Sequence, residues 1–198
     1  MAEDQRTYHH GNLRAALVQA ALELVEEAGS PALSLRAIAA AAGVSRAAPY
    51  AHFRDRRALL SAVANAGFER LALGMTAADD PAATPRERFV GIGRAYVRFA
   101  LDNPHLFKLM FSAELETRTD QPAIEGSATY DLFSGSLATL SRGVTPATGS
   151  VAMEAMAWSM IHGLAFLLIE GRLPVPGGDR DSLVRQVADG FAELLQGR

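Results

Sequence analysis

A short run of side chains suited to contacting a nucleic acid follows Gly43. Ser45 and Arg46 come first, and Ala47 and Ala48 come next. Among these residues only Arg46 has a side chain able to donate two parallel hydrogen bonds to a guanine, and the alanines are small enough to meet thymine methyl groups. The run is therefore suited to reading base edges in the major groove of a duplex.

Two short helices are predicted to position this run. Ser34 is placed to cap a helix over 35–42, and Gly43 can adopt the left-handed conformation that a sharp turn requires. A long first helix over 11–27 precedes both, and Ser45 is placed to cap the second of the two short helices, the third helix of the chain, which reaches about Phe53. Apolar residues at suitable spacings are expected to pack both short helices on the first one: Leu35, Ile38, Val44 and Phe53. This is the pattern of a helix-turn-helix.

Pro49 lies inside the predicted third helix. Proline has no amide hydrogen, so the bond that this residue would donate to the carbonyl of Ser45 is missing. We therefore expect the helix to lose one hydrogen bond and to begin irregularly, with an altered geometry of recognition.

The whole chain is predicted to be all-α, with about nine helices and no strand. Asp55 is expected to cap a long fourth helix that reaches about Met75, and Thr84 to cap a helix after a Pro- and Asp-rich joint. A helix after Asp179 closes the chain. We predict a DNA-binding domain over 1–57, a connecting helix and joint over 58–82, and a ligand-binding and dimerisation domain over 83–198.

The run from Tyr8 to Leu60 resembles the tetracycline-repressor (TetR) family of bacterial regulators, most specifically at Gly43-Val-Ser45 and Tyr50-Ala-His-Phe53. The resemblance implies a dimer that binds a palindromic operator, usually as a repressor. It also implies which side chains hold the DNA backbone. Those matching family positions that bind phosphates are Tyr50, His52 and Arg56, and those matching positions that commonly touch the backbone are Ser34 and Arg36.

Each of these residues also has a simpler interpretation. Phe53 is expected in the core, and Tyr50 could be a core aromatic too. His52 could be a solvated surface histidine. Arg54, Arg56 and Arg57 form a charge run of the kind that commonly covers a solvated face.

The chain continues for more than a hundred apolar, helix-forming residues beyond what DNA binding requires, which indicates a second task. Bulky side chains predicted to line a ligand pocket are Ile92, Tyr96, Phe99, Phe107, Met110, Phe111, Tyr130, Phe133, Trp158, His162 and Phe166. Any one of them could instead be an ordinary core residue. Together, the tryptophan, the tyrosines and a histidine supply polar groups in apolar surroundings, which favours a pocket.

The segment from Trp158 to Gly163 resembles the Trp-His-Gly ligand-binding half of one branch of the same family, and Asn103 to Phe111 also looks like that branch. A stripe of small residues would let a second helix approach closely: Ala152, Ala155, Ser159 and Gly163. Paired with Leu183, Val187, Phe191 and Leu194 of the final helix, this stripe predicts a four-helix interface across a two-fold axis.

Composition narrows the class of protein. The 198 residues include no cysteine and carry a net charge of −3. Residues 1–57 hold seven Arg against six Asp or Glu, about +1, and the remainder hold twelve basic against sixteen acidic residues, about −4. The polar, acidic N-terminus does not resemble a signal peptide, and the apolar stretch 151–169 carries Glu154 and His162, so a buried helix is predicted and a cytoplasmic location expected.

No enzyme motif accompanies these features: the sequence has no His-Glu-x-x-His, no Glu-x-x-His pair and no Gly-x-Ser-x-Gly. We therefore predict no catalytic residue, no metal and no cofactor. Double-stranded operator DNA, a small-molecule effector and a second copy of the chain are the predicted partners. The main alternative is a DNA-binding regulator, repressor or activator, that answers to a protein partner; an enzyme built on a helical bundle is a weaker one.

Overall fold

A computed structural model describes residues 10–115, 128–141 and 150–195. Within these ranges the chain is helical and contains no strand. The helices are α1 (His10–Ala28), α2 (Leu35–Ala41), α3 (Arg56–Ala78), α4 (Pro85–Asp102), α5 (Pro104–Met110), α6 (Ala128–Leu140), α7 (Ser150–Ile169) and α8 (Arg180–Leu195). The all-α class predicted from the sequence is confirmed.

Polar side chains begin several of these helices, as the sequence predicted. The Ser34 hydroxyl accepts a hydrogen bond from the Ala37 amide at 3.1 Å. Asp55 accepts from the Ala58 amide at 2.7 Å. Thr84 and Glu87 form a reciprocal capping box at the start of α4, which satisfies amides that have no partner inside the helix.

The predicted third helix over 45–53 is wrong in its form. A 3-10 turn over Ala48–Ala51 stands in its place, and no side chain caps it. The Ala48 amide bonds to the carbonyl of Ser45 at 3.0 Å, three residues back, and Pro49 has no amide with which to make the four-residue bond to the same carbonyl. The count is therefore eight α-helices in the described chain rather than about nine.

The chain divides into two compact units, and the first contains the DNA-binding candidates. It runs to Gly67 and takes in the segment from His105 to Leu115. Its core is apolar and fully enclosed, with Leu17, Leu33, Ile38, Phe53 and Leu59 all buried. Inside this unit a Cβ on Gly67 would lie 2.7 Å from the Met110 sulfur, so a larger residue there would have to displace the Met110 side chain of α5.

The second unit contains α4, α6, α7, α8 and the end of α3 from Phe68. Helix α4 is its centre and packs against α6, α7 and α8. Arginines on α4 fasten it to α8: Arg86 reaches Asp189 and Glu193, each at 2.9 Å, and Arg94 reaches Asp181 at 2.6 Å. These partly exposed pairs orient the helices more than they stabilise them. The sequence predicted a DNA-binding domain over 1–57, a connecting helix and joint over 58–82, and a ligand-binding and dimerisation domain over 83–198. These bounds assign binding roles, which the two compact units do not test, so they stay a prediction.

Candidate nucleic-acid interface and ligand site

Gly43 bends the chain sharply between α2 and the 3-10 turn. Its φ is +66°, a conformation that L side chains rarely adopt. The Val44 amide donates back to the carbonyl of Ala39 at 3.0 Å, which closes the end of α2. Beyond the bend Ser45, Arg46 and Ala47 are exposed and Ala48 is half-buried. The side chains predicted to meet base edges therefore lie on the surface of the first unit.

The 3-10 turn separates side chains that face solvent from side chains that enter the core. Tyr50 is 58% exposed, whereas Pro49 and Phe53 are buried. The structure therefore does not place Tyr50 in the core, and Phe53 lies there as expected. His52 is half-buried beside them.

The α2 candidates occupy two different environments. Arg36 is exposed on this helix. Ser34 is half-buried, and its hydroxyl already serves as the cap of α2. Arg36 is thus the better placed of the two to reach a phosphate with its side chain.

Arg56 is engaged within the protein. Its Nε donates to the carbonyl of Leu33 at 2.8 Å, and its Nη2 donates to the carbonyl of Ser30 at 2.8 Å. Its Nη1 lies 2.9 Å from Oε2 of Glu114. These partners are distant from Arg56 in the sequence, and none of them was predicted from it.

An aromatic cluster gathers many of the predicted ligand residues in the second unit. Trp158 of α7 is its centre, with the Tyr96 ring at 5.4 Å, the Phe133 ring at 5.5 Å and the His162 ring stacked at 5.8 Å. Tyr130 is 6.3 Å from Trp158, and Phe166 is 4.9 Å from His162. The rings come from α4, α6 and α7, so this unit assembles the cluster from three helices.

Two hydrogen bonds give the aromatic cluster its polarity. The Tyr96 hydroxyl lies 2.7 Å from Nδ1 of His162, and the Tyr130 hydroxyl donates to Glu154 at 2.6 Å. Burial raises the pKa of Tyr96 and lowers the pKa of His162, because desolvation disfavours the charged form of each. Both groups are therefore neutral near pH 7.

The remaining ligand candidates are not all brought to this cluster. Ile92 is buried and Phe99 half-buried on α4. Phe107, Met110 and Phe111 belong to the first unit, where the Phe107 and Phe111 rings lie 4.9 Å apart.

Glu154 was not among the ligand residues predicted from the sequence. It stands four residues before Trp158, which in turn stands four before His162, so helical spacing puts all three on one face of α7. That spacing was the available signal.

A shallow cleft of about 490 Å³ occurs elsewhere in the second unit. Its lining includes Leu168, Leu173, Val175 and Arg180, around the loop between α7 and α8. None of the residues predicted to bind a ligand lines it.

The predicted dimer residues of α7 lie at its surface. Ala152, Ala155 and Ser159 are exposed, and Gly163 is half-buried. Large apolar side chains accompany them: Val151 is 74% and Met156 56% exposed. On α8, Leu183 and Val187 are half-buried, Phe191 is buried and Leu194 is exposed.

By length and hydropathy alone α7 would also suit a membrane span, which is weak support for one. Only 28% of its apolar window is buried within the single chain. In the part of the chain that the structure describes, much of the apolar surface of α7 is exposed, so the helix buried in protein that the sequence predicts depends on a second copy of the chain and stays a prediction.

Comparisons with known proteins agree with this arrangement. Residues 17–63 match the family described as bacterial regulatory proteins, tetR family, and residues 89–191 match the tetracyclin repressor-like C-terminal domain. No curated protein matches the chain.

Several solved structures share the fold. A protein of unknown function from Rhodococcus sp. RHA1 is 34% identical, with 96% of this chain and 98% of that chain covered and a TM-score of 0.71. A TetR family transcription regulator from Marinobacter aquaeolei VT8 is 20% identical over 90% of this chain and 94% of that one, with a TM-score of 0.64. A tetR-family regulatory protein from Rhodococcus RHA1 is 21% identical over 92% and 96%, with a TM-score of 0.67.

Proposed function

Because this chain belongs to the tetracycline-repressor (TetR) family of DNA-binding transcription regulators, we propose that it is a repressor that binds a palindromic operator as a homodimer and leaves it when a small hydrophobic ligand binds. The observation that carries the DNA part is the exposed run after Gly43. The proposed location is the cytoplasm, where the operator is.

The side chains around the bend divide into two roles. Arg46 reads a guanine, and Ala47 and Ala48 allow close approach to base edges. Tyr50 and Arg36, both exposed, hold phosphates, and His52 assists them. Arg56 stands apart from this set because its side chain, although 42% exposed, already binds three acceptors of the protein itself.

A binding assay with duplexes from the region upstream of the gene tests this assignment. Arg46→Ala is expected to relax the preference for operator over random DNA by about ten-fold, the worth of one bidentate base contact. Tyr50→Ala is expected to weaken binding to both DNAs alike. If Arg46→Ala leaves the preference intact, the proposed base contact is wrong.

The aromatic cluster around Trp158 suggests what kind of ligand the protein senses. Neutral Tyr96 and His162 can exchange hydrogen bonds with a neutral polar group, and the surrounding rings favour apolar or aromatic matter. The carboxyl group of Glu154 at the edge of the cluster disfavours an anion. We therefore propose an uncharged, largely hydrophobic effector.

Release follows from a shift between two arrangements of the dimer. Recognition segments of a symmetric dimer must lie about 34 Å apart to enter successive major grooves. A ligand that binds an arrangement with another spacing 100-fold better shifts the equilibrium by about 2.7 kcal/mol. Helix α3 begins in the first unit and ends in the second, and it is the proposed route of coupling.

The only tryptophan of the chain reports directly on this site. Uncharged aromatic probes are expected to quench the fluorescence of Trp158 and to lower operator affinity at the same concentrations. If quenching and operator binding proved independent of each other, the proposed release would be wrong.

One observation favours a second candidate, control by a protein partner. The rings of the aromatic cluster contact one another, and the cleft near Arg180 lies apart from them. A cluster that stays closed to every small probe would favour that candidate. Activation in place of repression would use the same DNA contacts.

A further inference from the structure

Arg56 is the first residue of α3, and its guanidinium joins the start of this helix to two segments that are far away in the sequence. The carbonyls of Ser30 and Leu33 belong to the connection between α1 and α2, and Glu114 belongs to the segment after α5. The Ser30 hydroxyl also lies 3.4 Å from Oε1 of Glu114. All four residues are in the first compact unit, and we call this set the Arg56 junction.

The geometry of the Arg56 junction uses the planar shape of arginine. The Nε, Nη1 and Nη2 groups each bond a different acceptor at 2.8–2.9 Å. A lysine ammonium retains the charge, but it lacks the fixed fork that reaches three acceptors together. A contact to a DNA phosphate makes no such demand, because lysine binds phosphates well as a point charge.

We propose that Arg56 is a positioning residue for DNA binding and not a phosphate contact, and that Glu114 acts through it. By joining the start of α3 to the connection before α2, the Arg56 junction links the two helices on either side of the recognition segment, which runs from Gly43 to Asp55. Glu114 extends the junction to the segment after α5. A residue far along the chain from the recognition segment therefore influences operator affinity without touching DNA.

The segment from His105 to Glu114 is also held at its beginning, where two hydrogen bonds connect it to Glu26 near the end of α1. The Leu106 amide donates to the Glu26 carboxylate at 3.0 Å, and Nδ1 of His105 lies 2.9 Å from the Glu26 carbonyl. The segment from His105 to Glu114 is thus held at both ends, to the end of α1 and to the start of α3. A displacement of this segment would therefore move α1 through Glu26 and the start of α3 through Arg56.

Charge-conserving variants separate the two roles of Arg56. Operator affinity of Arg56→Lys, Glu114→Gln and the double variant is measured by fluorescence anisotropy with an upstream duplex over a range of salt concentrations. Arg54→Lys controls for an exposed arginine that has no proposed DNA contact, and Glu27→Gln controls for loss of one negative charge from an exposed site in the same unit.

We expect Arg56→Lys and Glu114→Gln each to weaken binding at least five-fold, with the slope of log affinity against log salt unchanged. The double variant is expected to bind about as weakly as Arg56→Lys alone, because both substitutions break one junction. A phosphate contact predicts the opposite: Arg56→Lys binds normally, and Arg56→Gln lowers the salt slope by about 0.9 for each protomer. Stronger binding by Glu114→Gln than by Glu27→Gln would also overturn the proposal.

This inference rests on the proposed DNA-binding role, and thermal unfolding tests it separately. Arg56→Lys and Glu114→Gln should lower the Tm by non-additive amounts, whether or not a duplex is present. If the unmodified protein binds no duplex while the Tm values are non-additive, the operator proposal fails and the junction stands. Additive Tm changes would refute the junction itself.

Discussion

At the scale of single residues, burial decides which groups of the aromatic cluster carry charge. His162 stacks on Trp158 and lies at hydrogen-bonding distance from Tyr96, and its pKa is lowered because the cluster shields it from water. In the unfolded chain this histidine titrates near pH 6.5. Between the lowered pKa and that value the unfolded state binds more protons, so acid favours unfolding.

The stability contributed by the neutral His162 should therefore be complete above about pH 6.5 and should fall as the pH drops toward the lowered pKa. We expect the Tm of the unmodified protein to decrease more between about pH 7.5 and about pH 5.5 than the Tm of His162→Asn. The other four histidines of the chain are present in both proteins, so they cancel in the comparison. Parallel pH profiles would contradict the burial of a neutral imidazole.

The sequence predicted residue roles well where they depend on neighbours along the chain. Ser34 and Asp55 cap helices as expected, because a cap needs only an amide three residues away. Arg56 was expected to bind a phosphate, yet its acceptors come from Ser30, Leu33 and Glu114. No local pattern encodes such a meeting, and only the folded chain reveals it.

At the scale of elements, the segment between Gly43 and α3 departs most from expectation. The sequence predicts an irregular beginning because of Pro49, but it also predicts a helix through 45–53. The structure has a 3-10 turn over Ala48–Ala51: Ala48 and Tyr50 bond to carbonyls three residues back, Pro49 has no amide for the four-residue bond to Ser45, and a four-residue bond forms only at the end, from Phe53 to Pro49.

Restoring the amide should restore the helix. Pro49→Ala is expected to extend regular α-helix back toward Ser45 and to change the preferred operator sequence, because Arg46 then leaves the surface in a different direction. Backbone chemical shifts measure the first effect, and selection from a random duplex library measures the second. Unchanged shifts for residues 45–52 would mean that something other than the missing amide maintains the turn.

At the scale of the whole molecule, α7 is the feature that a single chain leaves unexplained. One face carries Glu154, Trp158 and His162 of the aromatic cluster, Met156 is exposed on another side of the helix, and Val151 is exposed at its beginning. The sequence predicted both the aromatic residues and the small-residue stripe of this helix, but it did not show how much of the helix a single chain leaves exposed, because α7 is apolar almost all round. A second copy of the chain would cover the exposed region and remove its cost.

A charge placed in the exposed stripe should therefore separate the protomers. Ala155→Arg is expected to shift sedimentation from dimer to monomer and to weaken operator binding at least ten-fold, because a guanidinium would be buried without a partner at the interface. Arg98→Ala, on the exposed surface of α4, is a control that should leave the dimer intact. A dimeric Ala155→Arg protein would place the interface elsewhere.

Hydroxyl-radical footprinting on the upstream duplex examines the surface after Gly43 and the two-fold assembly together. A dimer that presents two such surfaces should protect two short segments whose centres lie about one helical turn apart, or a multiple of it, on one face of the DNA. In the Ala155→Arg protein the same concentration should protect neither segment. A single protected segment, or none at low salt, would contradict the proposal that paired Arg46 side chains enter successive major grooves.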